Sequence, residues 1–178
     1  MIANWEFNKF KTDYKVKKSK FLQILWYFTN AIIFKTAIFP INKLKIVILK
    51  GFGAKIGVGC IIKPNVNIKY PWELILGENV WIGENVWIDN LATVSIGSNS
   101  CLSQGVTFIT GTHDFTSTTF ETITKAIQIG SNVWIGAKST IGPGVELCDF
   151  VIISMGATIT TSIESEGIYQ INGPRRVY

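Results

Sequence analysis

The chain has 178 residues, 47% of them hydrophobic, and a formal net charge of +5. That length makes one domain with room for a small appendage. The charge is lopsided: residues 1–50 carry ten lysines against two acids, while residues 51–178 are net −3, which excludes a uniformly basic nucleic-acid binder.

Residues 1–50 read as a basic, apolar, helical segment. Six lysines fall within the first twenty residues, and an apolar run then extends from Phe21 to Phe39 before Pro40 stops it. The run approaches the length of a membrane span, but Gln23, Asn30 and Lys35 interrupt it and no small-residue cleavage motif follows, which argues against a span or a signal peptide. Two roles stay open. The segment caps the open end of whatever follows, or it forms an interfacial helix through which residues 1–40 contact an anionic membrane peripherally.

From Ile56 to Ile159 an aliphatic or aromatic residue returns every sixth position, usually followed by glycine, as in Ile82-Gly83, Ile96-Gly97 and Ile135-Gly136. Small or β-branched residues such as Val80, Ser100 and Ala157 stand four places after. A hexapeptide period is the signature of a parallel β-helix. The apolar positions group in threes, 56/62/68 through 147/153/159, so about five triangular coils are expected over residues 51–165. Glycine after each ladder residue is expected to supply a positive φ at a tight corner. An alternating β-sandwich would not place apolar residues at all fifteen ladder positions.

The period breaks in three places. Two extra residues fall between 68 and 76 and between 88 and 96, and fifteen fall between 108 and 129. The long break predicts a loop at about residues 114–128, and long loops in compact domains are usually functional. His113, the chain's sole histidine, stands where that loop leaves the prism. Imidazole accepts a proton near neutral pH, so His113 is the candidate general base. Asp89 and Asn90 lie one coil below, where a carboxylate could orient the imidazole or hold an acceptor hydroxyl and Asn90 could bind substrate; a turn-forming Asp-Asn pair is the plainer alternative. Asp114 is the rival carboxylate. In Asn132-Val133-Trp134-Ile135-Gly136-Ala137 the glycine leaves backbone amides open to a long, flat ligand beside Trp134.

Cys60, Cys101 and Cys148 fall in different coils with no Cys/His cluster. That spacing predicts reduced thiols in a cytoplasmic protein and no metal site. The tail, residues 166–178, ends near Arg175 and Arg176, whose guanidinium groups suit phosphate.

Taken together, the hexapeptide ladder, the Gly111-Thr112-His113-Asp114 string before a long loop, the Val133-Trp134-Ile135-Gly136 phrase and the Asn172-Gly173-Pro174 tail resemble the left-handed β-helix acyltransferases. The likeness is greatest to the acetyltransferases of colanic acid and other exopolysaccharide biosynthesis. That resemblance implies a left-handed parallel β-helix, a homotrimer with a cleft between neighbouring prisms, acetyl-CoA as co-substrate and a saccharide acceptor. It implies that Ala137, Met155 and Gly156 line the pantetheine with Trp134 and Gly136, that Arg176 approaches the nucleotide end, and that Asp89 falls where relatives hold the acceptor. It further implies direct O-acetylation of a surface polysaccharide or its precursor, in the cytoplasm or at the inner face of the membrane. Transfer to the amine of an amino sugar or antibiotic, and a non-catalytic trimeric scaffold, are the competing readings.

Overall fold

A computed structural model describes residues 3–10, 12 and 14–170. The hexapeptide phrases become short parallel strands on three faces of a prism. The first face stacks β1 (Lys55–Ile56), β4 (Leu74–Leu76), β7 (Val94–Ile96), β12 (Ile127–Ile129) and β15 (Glu146–Leu147). The second stacks β2 (Ile61–Ile62), β5 (Trp81–Ile82), β8 (Cys101–Leu102), β13 (Trp134–Ile135), β16 (Val151–Ile153) and β18 (Gly167–Tyr169). The third stacks β3 (Asn67–Ile68), β6 (Trp87–Asp89), β9 (Thr107–Ile109), β14 (Thr140–Ile141) and β17 (Thr158–Ile159).

The register keeps ladder residues above one another: Ile62 pairs with Ile82, Ile82 with Leu102, Leu102 with Ile135 and Ile135 with Ile153. All the predicted ladder positions are buried, so each coil's apolar stripe is covered by the coils beside it and no separate layer is needed. The solenoid exceeds the five expected coils. Ile163 bridges to Leu147 and β18 pairs with β16, adding a partial sixth coil from Ile163 to Tyr169.

The glycines that follow the ladder residues serve a purpose other than the one expected. They are not the left-handed residues. The next coil lies directly over them: a Cβ on Gly97 would sit 2.5 Å from the carbonyl oxygen of Gly130 and from the amide of Ser131. The left-handed residue comes two places later, from Gly59 to Gly156, and is asparagine or glycine at all of those corners except Lys138 and Phe150. Asparagine tolerates that conformation better than other side chains.

All three insertions emerge at one corner, between the third and first faces, so they stack. Asn90 accepts from the Tyr70 amide at 2.9 Å and donates to the Tyr70 carbonyl at 2.7 Å. The Thr93 hydroxyl donates to Glu73 at 2.7 Å, and the Thr110 hydroxyl to the Asp89 carbonyl at 3.0 Å. The longest insertion is not structureless. It forms an antiparallel hairpin, β10 (Gly111–His113) against β11 (Thr122–Thr124). The chain is already back in the first face at Ile127, so the loop ends before the predicted residue 128.

The N-terminal segment caps the first coil. Helix α1 (Lys20–Thr29) starts at Ser19, whose hydroxyl accepts from the Leu22 amide at 3.3 Å. It continues through a π-helical turn, Asn30–Phe34, and is followed by helix α2 (Asn42–Gly51). An open sheet edge leaves backbone groups unpaired, and the segment answers several of them. The Trp26 indole donates to the Ile68 carbonyl at 2.9 Å. Asn42 donates to the Cys60 carbonyl at 2.9 Å and accepts from the Ile62 amide at 2.8 Å. The Lys45 amine, fully buried, donates to the Lys63 carbonyl at 3.2 Å, and burial lowers its pKa. Among the described residues no helix is long and apolar enough to cross a membrane.

Because a Cβ at Gly97 collides with backbone rather than with a flexible side chain, Gly97→Ala should destabilise the protein by about 1–3 kcal/mol. Asn85→Gly, at an exposed left-handed corner, should stay within about 0.5 kcal/mol of the parent. Thermal unfolding at matched protein concentration checks the pair.

Candidate active site

The site is built on the corner where the insertions stack, and His113 stands at its top. Its Nδ1 lies 3.0 Å from the Phe120 carbonyl oxygen. A carbonyl only accepts, so Nδ1 carries the proton and the neutral ring presents Nε2 as a lone-pair acceptor. The Phe120 ring also stacks on the imidazole, with centroids 4.3 Å apart and planes 10° from parallel. Phe120 does both from a left-handed backbone at φ 49°, which for a bulky residue is strained. His113 itself is exposed.

The carboxylates expected to orient the imidazole are engaged elsewhere. Asp114 accepts from the Thr116 amide at 2.8 Å and hydroxyl at 2.6 Å. These bonds, the hydroxyl's first, hold its carboxyl below the usual range. Asp114 thus shapes the hairpin tip. Asp89 makes no hydrogen bond to His113 among the described residues. One of its oxygens is shut off from solvent, 2.8 Å from the Lys69 ammonium in a charge contact that falls short of hydrogen-bond geometry. Asn90 is fully buried, with both polar atoms spent on Tyr70; its post is structural.

Asp89 faces a cavity of about 500 Å³ between α1 and the third face, lined by Trp26, Asn30, Lys69, Tyr70 and Trp87 among others. On the second face a separate groove of about 560 Å³ gathers Trp134, Gly136, Ala137 and Met155, four of the residues predicted for pantetheine, with Ser103 and Gln104. The Trp134 indole donates to the Ser103 hydroxyl at 2.9 Å, which fixes its half-exposed ring. Gly136 is required there, since a Cβ would meet the Met155 amide at 2.5 Å. Gly156 adjoins the groove as a left-handed corner whose amide donates to the Ala137 carbonyl at 2.8 Å. Arg176 and the Asn172-Gly173-Pro174 phrase lie outside the described residues.

Sequence reasoning missed the wall that the N-terminus adds. The Ala3 amide donates to the Phe115 carbonyl at 3.1 Å and the Glu6 amide to the Thr118 carbonyl at 2.9 Å. Trp5 and Phe7 pack on Phe120 at 4.9 and 5.4 Å, and the Phe10 ring meets His113 edge-on at 6.1 Å. Lower down, Lys17 pairs with the nearly buried Glu73 at 2.8 Å. The Tyr14 phenol is pushed up, first by burial and then by Tyr70, Glu73 and Asp89. The run of Trp5, Phe7 and Phe10 was the available signal. Burial pushes the Cys60 and Cys101 thiols up as well, as for inert structural cysteines.

Parallel coils that break once to present a histidine, with a tryptophan-walled groove on another face, define an acyl-transfer scaffold of the hexapeptide type. Residues 73–108 match the model "Hexapeptide repeat of succinyl-transferase" and residues 126–161 match "Bacterial transferase hexapeptide (six repeats)". The chain is 32% identical over 148 residues to the "Putative colanic acid biosynthesis acetyltransferase WcaF" of Escherichia coli, covering 83% of this chain and 81% of that protein. It is 32% identical over 119 residues to the galactoside O-acetyltransferase of Escherichia coli, covering 65% of this chain and 59% of that protein. The solved structure of a galactoside acetyltransferase in complex with coenzyme A superposes with a TM-score of 0.75 at 25% identity, covering 87% of this chain and 80% of that one. The chain belongs to the hexapeptide-repeat acetyltransferases, enzymes built on a left-handed parallel β-helix.

With a single histidine in the chain, its tautomer is directly readable. ¹⁵N NMR of tag-free protein should show the proton on Nδ1 in the neutral form of the ring, and Phe120→Ala, which keeps the carbonyl, should keep that tautomer. A parent spectrum dominated by the Nε2-protonated form would contradict the Phe120 contact.

Proposed function

We propose that the protein transfers an acetyl group from acetyl-CoA directly to a hydroxyl of a sugar, on a surface polysaccharide or its lipid-linked precursor. The observation that carries this reading is His113, whose Nδ1 is committed to the Phe120 carbonyl and whose Nε2 is therefore free to accept a proton. The sugar and polysaccharide part leans on the names of the relatives, a galactoside O-acetyltransferase and a colanic acid biosynthesis acetyltransferase.

The second-face groove suits the co-substrate. It is mostly apolar, lined by Ala137, Ile152 and Met155 with the half-exposed Trp134 ring along one side, which fits an extended pantetheine arm. Acetyl-CoA supplies an activated thioester carbonyl. His113 takes the proton from the acceptor hydroxyl as that oxygen bonds to the carbonyl carbon. The carbon–sulfur bond then breaks, the acetyl group stays on the acceptor oxygen, and the leaving thiolate takes up a proton, which the imidazolium of His113 can return. Asp89 would accept a hydrogen bond from another hydroxyl of the same sugar through the oxygen that Lys69 does not hold.

The hairpin leaves the corner between the third and first faces, whereas the groove lies on the second. In one chain the base and the groove share no residue. A homotrimer, with the hairpin of one prism leaning on the second face of the next, would complete each site. A cytoplasmic enzyme held at the inner face of the membrane through residues 1–40 would meet a lipid-linked acceptor where it is assembled.

His113→Ala should lower kcat by roughly 10²–10⁴-fold, the usual contribution of a general base, with molar mass and unfolding temperature unchanged. The assay is release of free CoA thiol with a panel of sugars and amino sugars. Full activity in that variant would reject the base. Mixed oligomers of His113→Ala and Ala137→Trp chains should regain activity that neither parent has, because some clefts then combine an intact hairpin with an intact groove.

A further inference from the structure

Helix α1 and the turn that follows it are apolar on the outside as well as on the side that meets the core. The side turned to the solenoid buries Trp26 against Phe34 and Phe52 and adds polar ties: Asn30, just after the helix, donates to the Asn67 side chain at 2.8 Å, the Trp26 indole binds the Ile68 carbonyl, and Gln23 lines the Asp89 cavity. The side turned outward is apolar. Phe21, Leu25, Phe28 and Ile32 follow at helical spacing and are 75%, 46%, 57% and 66% exposed. Ile38, just beyond the π-helical turn, is 85% exposed. A contiguous apolar face of this kind is normally covered by something.

The charges around it say what covers it. Lys15, Lys18 and Lys20 are exposed just before or at the start of α1, Lys35 is exposed at its far end, and none forms an ion pair among the described residues. The first turn holds no acidic residue. Cations there oppose the positive end of the helix dipole, so they cost stability unless an external anion balances them. A second copy docked face to face would bring the same lysines against each other. An anionic lipid surface supplies both an apolar interior for the rings and counter-charge for the amines. The helix is too short to span, and no helix among the described residues does so; it would lie in the plane of the interface.

We propose that the outer face of α1, through Phe21, Leu25, Phe28 and Ile32 with Lys15, Lys18 and Lys20 beside them, docks the protein on anionic phospholipid. This gives a physical surface to the inner-membrane location offered above and rests on that location, not on the acetyl-transfer reading.

The test is co-sedimentation of the full chain with phosphatidylcholine vesicles, with and without phosphatidylserine. Three lysines at about 1 kcal/mol each should favour the anionic vesicles on the order of a hundredfold at low salt, and the preference should fade as salt rises. Replacing the three lysines by glutamine should abolish the preference. Leu25→Ser with Phe28→Ser should reduce partition to both vesicles at least tenfold while molar mass by light scattering stays the same. Equal partition of parent and variants overturns the proposal. So does a fall in molar mass of the Leu25/Phe28 variant, which would assign the face to a second copy. Acetyl transfer to a soluble sugar is read in parallel. An inactive parent that still partitions fails the acetyl-transfer reading alone, and an active parent that does not partition fails this one alone.

Discussion

The spacing between coils governs this molecule. Parallel strand pairing sets successive coils about 4.8 Å apart, and every coil must repeat the path of the one beneath it to keep its hydrogen bonds. That leaves no room for a Cβ over Gly57, Gly97 or Gly136, where the next coil's backbone lies at or within 2.5 Å of where one would be. It fixes the left-handed corner residue two places later, which is why asparagine recurs at Asn65, Asn79, Asn85, Asn99 and Asn132. The apolar ladder then follows as a consequence, because residues that repeat their position must stack.

A scaffold that rigid can vary only at its corners, and here it varies at one. The turn at Pro71–Glu73, the Asn90–Thr93 bend and the His113 hairpin lie one above another, tied by Asn90 to Tyr70 and by Thr93 to Glu73. The N-terminal segment runs down the same corner. It packs Phe10 and Phe7 near the hairpin, places Tyr14 beside Tyr70, and pairs Lys17 with Glu73. Neighbouring coils thus place a histidine, a lysine-paired carboxylate and an aromatic wall on one edge, although the residues come from distant parts of the sequence.

The solenoid was legible because its constraint is periodic: fifteen ladder positions read from the sequence are fifteen buried residues. Trp134, Gly136 and Ala137, singled out through the family resemblance, follow one another along one coil, and Met155 joins them in the groove from the place equivalent to Ala137 on the next. What escaped was aperiodic. Nothing local in the sequence says that the Phe120 carbonyl, rather than Asp89 or Asp114, holds the imidazole, because that contact depends on the hairpin closing through a strained phenylalanine. Nor does the sequence show that Asn90 bridges to Tyr70, twenty residues away. The glycine rule was read in terms of backbone freedom when the relevant quantity was the distance to the next coil.

The N-terminal segment links these features. Its first residues brace the hairpin that carries His113, its middle reaches Glu73, and α1 forms one wall of the cavity that holds Asp89. Whatever fixes α1 therefore also fixes the wall of that cavity. Its inward face is bound by Trp26 and Asn30 to the edge of the first coil, so the helix cannot roll to hide Phe21 or Phe28 without giving up those bonds. In the proposed reading the exposed face is then the cost of building the cavity wall from a helix whose Trp26 and Asn30 are needed inside. An anionic bilayer would both cover that face and bring the lipid-linked end of a saccharide to the side of the molecule where Asp89 lies.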